Sequence, residues 1–168
     1  MKSVLRIVDK ISDWSGRATS FLIYVGILML AFEVISRYFF NAPTVWAHGY
    51  TQRLFGSYFV LVGAYTLLKD GHVRVDIIYQ RFSLRVRAAL DIVNYALLVL
   101  WCVVLVKEGV TFFAKSFSIR EADEMALAHP VYPIKFLLVV GVVLILLQGL
   151  SRLTTSCLTL VKGVKYEY

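Results

Sequence analysis

Charge is scarce in this chain. Its 168 residues include 18 Lys and Arg and 11 Asp and Glu, so only 17% are charged and 59% are apolar. A soluble domain carries about 25% charged and about 45–50% apolar residues. With a mean hydropathy of +0.71, no soluble core of this size absorbs the surplus. Cysteine is nearly absent. Cys102 and Cys157 both lie in apolar stretches, which excludes a disulfide framework and a cysteine metal site. Histidine is rare too: His48, His72 and His129 are placed outside the hydrocarbon core, so no pair reaches across spans to hold a buried haem. No serine sits with a base partner, and no glycine loop is shaped to cradle phosphate. The sequence therefore offers no catalytic, metal or cofactor set, and the chain is not expected to be an enzyme. A cleavable signal is not evident either, because the first apolar run opens only at Phe21, behind a charged segment. The net charge of +7 falls between apolar runs, where it sets topology rather than binding nucleic acid.

What is present is four long apolar runs. A helix needs about 20 residues to cross a hydrocarbon core of about 30 Å. Spans are expected at about residues 21–40, 45–68, 88–106 and 134–161 of a single membrane domain, 1–168. The fold class is an all-α integral membrane protein with four transmembrane helices. The fourth run is long enough to tilt or project from the bilayer. Twelve of the 18 basic residues fall on the side of the two termini. By the positive-inside rule both termini are cytoplasmic in a bacterial inner membrane.

The segments between the runs carry their own patterns. Val4, Ile7, Val8, Ile11 and Trp14 form an apolar stripe at helical spacing, with Lys2, Arg6, Lys10 and Asp13 on the other face. This predicts an amphipathic N-terminal helix that lies in the interface against phospholipids, or packs on a partner protein. Asp70-Gly71 marks a turn, and Ser83 is placed to cap the helix that continues into the third span. Ser118-Ile-Arg-Glu121 has the form of a capping box, which predicts a short helix over residues 119–127 in the outer loop. Pro130 ends it, and Pro133 opens the fourth span where proline is tolerated.

Polar residues inside the spans are the default functional candidates. Glu33 lies deep in the first span, with Arg37 one turn further on. The pair is either a proton or substrate site or a local ion pair at i, i+4. Asp91 and Asn94 are spaced for a polar helix–helix contact. Gln148, Ser151 and Thr155, with Gly141 and Gly149, suggest close packing of the fourth span.

One pattern is more specific. Arg37-Tyr-Phe-Phe-Asn41-Ala-Pro43 is followed by Trp46, and Leu67-Leu-Lys-Asp70 runs into Gly71-His72-Val-Arg74-Val-Asp76. A weaker segment, Ala126-Leu-Ala-His129-Pro130-Val-Tyr-Pro133, leads into the fourth span. With these motifs the chain resembles the small membrane subunit of tripartite ATP-independent periplasmic (TRAP) transporters. The family usually has acids just after the tryptophan, where this chain has Ala47-His48-Gly49. The resemblance implies a scaffold. A large polytopic subunit carries an organic acid, such as a C4-dicarboxylate or sialic acid, inward with sodium, and a periplasmic binding protein delivers it. Any sodium coupling then belongs to the large subunit. The residues it marks as structural or interface candidates are Arg37, Asn41, Trp46, Gly71, His72, Arg74, Asp76 and Pro133, and Glu33 joins them as the intramembrane partner of Arg37. The rival reading is an autonomous small four-span drug/proton exporter that uses Glu33.

Overall fold

The computed structural model describes residues 2–69, 71, 82–123 and 129–162. Among them are four helices: α1 (Lys2–Tyr38), α2 (Ala47–Leu68), α3 (Leu84–Ser118) and α4 (Tyr132–Lys162). The one isolated β-bridge in this part of the chain joins Ala122 to Pro130. Consecutive helices run antiparallel, and the packing order in space is α1, α2, α4, α3, with α1 also leaning on α4. The helices thus form a row. The tight reversal from α1 into α2 sits at the end called here the Tyr38 end, and α2 finishes at the opposite, Lys69 end.

The row is built inside out relative to a soluble protein. Most of its buried positions are small or polar, among them Ser12, Ala47, Thr51, Ser57, Ala64, Gln148 and Ser151. Its large apolar side chains, among them Phe21, Leu28, Leu97, Trp101 and Val104, face outward. Lipid is as apolar as leucine, so apolar side chains gain little by leaving it, and small residues that let backbones approach line the contacts instead. Gly141 shows how close the approach is. A Cβ built on it meets the Val60 carbonyl carbon and oxygen at 3.0 Å. At Gly16 the Tyr65 Cβ stands 2.3 Å from the place a side chain would take.

Three helices, α1, α3 and α4, are long and apolar enough to cross a membrane. The 22-residue α2 has the length but not the hydropathy. It lies between α1 and α4, with Thr51 and Ser57 buried, Arg53 half-buried, and His48 and Gln52 exposed. Protein neighbours take up the polarity of the covered residues, which lipid does not.

Two expectations are corrected. The N-terminal segment is not a separate interfacial helix, because α1 runs unbroken from Lys2 through the first span. No proline interrupts it, and a mid-helix glycine such as Gly16 costs only about 1 kcal/mol. The Val4, Ile7, Ile11 and Trp14 stripe faces away from the other helices, while Leu5, Ser12, Gly16 and Thr19 pack inward. The helix that carries the third apolar run continues beyond it at both ends, since α3 extends from Leu84 to Ser118, about 52 Å at 1.5 Å per residue. Finally, Ser118-Ile-Arg-Glu121 ends a helix rather than starting one. Arg120 takes a left-handed φ of 48°, and the Glu121 and Arg120 amides donate to the Ser116 and Phe117 carbonyls. This is the Schellman pattern of a helix C-terminus. Residues 119–120 form its turn, and residues 124–127 of the expected helix lie outside the described residues. Ser83 does stand at the N-cap of α3, though its side chain makes no capping bond.

Candidate functional site

At the Tyr38 end the chain must reverse within eight residues. Asn41 provides the turn. It holds φ at 48°, a left-handed value that asparagine tolerates better than most residues, and the Ala42 amide donates back to the Ser36 carbonyl at 3.0 Å. Glu33 then ties the two sides of the reversal together. Its Oε1 accepts from Arg37 Nε at 3.2 Å and Nη2 at 2.6 Å. Its Oε2 accepts from the Thr44 amide at 3.2 Å and from the Thr44 hydroxyl. The Glu33 side chain is 12% exposed and that of Arg37 is 52%, so the acid is held inward while the guanidinium reaches out.

Trp46 continues the network as an aromatic series. It stacks on Phe32 with ring centroids 6.0 Å apart and meets Tyr50 edge-on at 6.1 Å. Tyr50 in turn packs on His129 at 4.8 Å, with its hydroxyl 3.5 Å from Nδ1. Two ion pairs fasten the α3–α4 connection to the helices: Arg53 of α2 with Asp123, and Lys135 of α4 with Glu121. The bridge at Ala122 and Pro130 brings the two strands of that connection together, with the Asp123 amide donating to the His129 carbonyl at 2.8 Å. Lys135 is almost fully buried, and its ammonium also lies 3.7 Å above the Phe112 ring. The hydrogen bond from that ammonium holds the Glu121 carboxyl below its ordinary range.

The Lys69 end has a different arrangement. Gln148, fully buried, accepts from the Ser12 hydroxyl at 2.8 Å and donates to Asp9 at 3.0 Å. Arg152 caps the end of α2 by donating to the Leu68 carbonyl. The Gly71 amide donates to the Thr66 carbonyl at 2.9 Å. Asp13 pairs with both Arg17 and Lys69.

Of the residues singled out from sequence, Glu33, Arg37, Asn41 and Trp46 come together in one turn. Pro133 stands in the first turn of α4, beside Tyr50, Arg53 and His129 along a groove between helices. Gly71 lies at the far end, while His72, Arg74 and Asp76 lie outside the described residues. Thr44, Tyr50, Arg53, Glu121, Asp123 and Lys135 belong to the Tyr38-end network and were missed. Arg53 and Lys135 had a usable signal, since a cation within an apolar run calls for an acid. Thr44 had none. Among the described residues no group of His, Cys, Asp and Glu is placed to hold a metal ion.

Residues 26–158, well over half the chain, match the family model described as Tripartite ATP-independent periplasmic transporters, DctQ component. No curated protein matches the chain.

Proposed function

Because the chain belongs to the DctQ family of TRAP transporter components, we propose that it is the small scaffold subunit of a complete uptake system for an organic acid. In this reading α2 is the fourth crossing, and both termini are cytoplasmic in a bacterial inner membrane. A large polytopic subunit carries the acid inward with sodium, and a periplasmic binding protein delivers it. The observation that carries the reading is how the polar residues are used. Glu33, Arg53, Lys135 and Gln148 each join one segment of this chain to another. They are spent on holding helices in register, which is the work of a support. The outward apolar faces of α1 and α3 leave ample surface for lipid and for a larger membrane partner.

The test is reconstitution. The chain alone in proteoliposomes moves no organic acid under a sodium gradient. Adding the large subunit and the binding protein encoded beside it gives uptake. Uptake or drug–proton exchange by this chain alone refutes the scaffold role and favours the exporter. Orientation is tested separately. A reporter active only in the periplasm works when fused after Asn41 or Arg120 and stays dark after Arg81 or Tyr168; the reverse pattern overturns the topology.

A further inference from the structure

The helix contacts fix which residues share a height along the row. Gly26 of α1 meets Phe55 of α2, Gly141 of α4 meets Val60 of α2, and Gly109 of α3 meets Val139 of α4. Counting from these contacts, Phe21, Val60, Gly141 and Lys107 stand at one level. Yet Phe21 opens the apolar run of α1, and Lys107 closes the apolar run of α3. The apolar stretches at the two edges of the row are therefore displaced along the helix axes.

The flanking charges show the same displacement twice. Carried across to α3, the height of Arg37 lies about sixteen residues beyond Lys107, or about 24 Å. The height of Arg17 lies about sixteen residues from Arg87 in the same sense. Between them, Lys135 and Lys69 fall in order along the row. Charges thus bound a slanted band whose two edges are parallel. If the helices stood upright, exposed Lys107 and Glu108 would sit level with Val60, in the middle of α2, facing hydrocarbon. Ionised side chains are costly there.

We propose that the row crosses the bilayer with its helix axes steeply inclined, so that lipid meets an oblique belt bounded by Arg37 and Lys107 on one side and by Arg17 and Arg87 on the other. Three interaxial steps of about 9 Å give a width of about 27 Å. A shift of about 24 Å over that width is an inclination of about 40°, at the steep end of transmembrane helices. Twenty residues at that inclination span about 23 Å along the bilayer normal, and the flanking arginines and lysines cover the remainder by reaching to the interface. The polar side of the inner third of α4 fits the same slant. Gln148 faces α1, whose apolar run has already ended at that height, and Arg152 donates to the last carbonyl of α2, while Gly149 packs against apolar Leu98 and Val99 of α3. The inference stands on axial register and charge placement, independently of what is transported.

The test uses two residues of nearly equal height, Ser20 and Lys107. The full chain, with Cys102→Ala and Cys157→Ser, carries Ser20→Cys or Lys107→Cys in sealed phospholipid vesicles of uniform orientation. A membrane-impermeant maleimide is applied to one face or the other, and total reactivity is read in denaturing detergent. The expected result is labelling from opposite faces, with loss of labelling from the far face for each variant. Any other pattern overturns the inclination, including labelling of both from the same face or of neither until the membrane is dissolved. Ala18→Cys and Glu108→Cys, both at exposed positions, provide a second pair, read in the same way, should the first fail to insert.

Discussion

Gly141 offers the sharpest test of how the row is held together. A Cβ at this position meets Val60 Cγ1 at 2.6 Å and the Val60 carbonyl carbon and oxygen at 3.0 Å. A methyl can turn aside, but backbone cannot, so alanine forces α4 away from α2. Overpacking of this kind costs about 1–3 kcal/mol. Gly56 of α2 is the internal control, since a Cβ there meets nothing within 4 Å. Both substitutions gain the same helix propensity, about 0.8–1.0 kcal/mol for glycine to alanine. That gain cancels in the comparison and leaves the packing term alone. Gly141→Ala is therefore expected to be less stable than Gly56→Ala by about 1–3 kcal/mol. At about 2–4 °C per kcal/mol for a chain of this size, the thermal midpoints separate by several degrees. The assay is thermal unfolding of the two variants and the parent in one detergent, followed by near-ultraviolet circular dichroism. Gly56→Ala should match or exceed the parent. If Gly141→Ala is as stable as Gly56→Ala, α2 and α4 do not meet at Val60, and the axial register built on that contact fails with it.

Three further outcomes are expected. Asn41→Gly keeps the left-handed turn, whereas Asn41→Val costs about 1–2 kcal/mol for φ of the wrong sign, read in the same unfolding assay. In the assembled transporter Glu33→Gln retains most of the uptake and Arg37→Ala loses more, since the latter leaves the acid without its cation; a Glu33→Gln protein that assembles but does not transport refutes this. Because Lys135 lowers the pKa of Glu121 from its ordinary 4.5, the pair stabilises the fold above that value, and this contribution fades as pH falls through the lower folded pKa. The stability margin of the parent over Glu121→Gln should shrink on acidification, and a margin that grows instead excludes the pair as its source.

Local chemistry was legible in the sequence and long-range chemistry was not. The Glu33–Arg37 pair follows from i, i+4 spacing alone. The motif around Asn41 and Trp46 pointed to a shaped turn, and Asn41 supplies its left-handed residue. By contrast, Ser12 and Gln148 are 136 residues apart, and Arg53 and Asp123 are 70 apart. No periodicity joins such partners. The N-terminal stripe was expected on a separate interfacial helix, because an amphipathic pattern says which face is apolar but not whether the helix stops before the span. Instead α1 runs through without a break, its small and polar face packed and its apolar face outside. The Ser118–Glu121 motif misled because a capping box and a helix end use the same residue types. Only the backbone of Arg120 separates the two.

The same reasoning explains why an acid belongs at Glu33. An ionised carboxylate has about four acceptor positions, and here all are used: two donors from Arg37 and two from Thr44. Arg37 is on the last turn of α1, and Thr44 lies three residues past the left-handed Asn41. The carboxylate therefore joins the helix to the segment that must turn back on it, and so fixes where α2 begins. A proton carrier has the opposite need. It must exchange its proton with water or a substrate, and each protonation here would give up bonds to a guanidinium, an amide and a hydroxyl together. Glutamine keeps a carbonyl oxygen for part of this set but no charge for Arg37. The loss should therefore be felt first in the placement of the α1–α2 turn and only through it in transport, as expected of a residue that shapes a support.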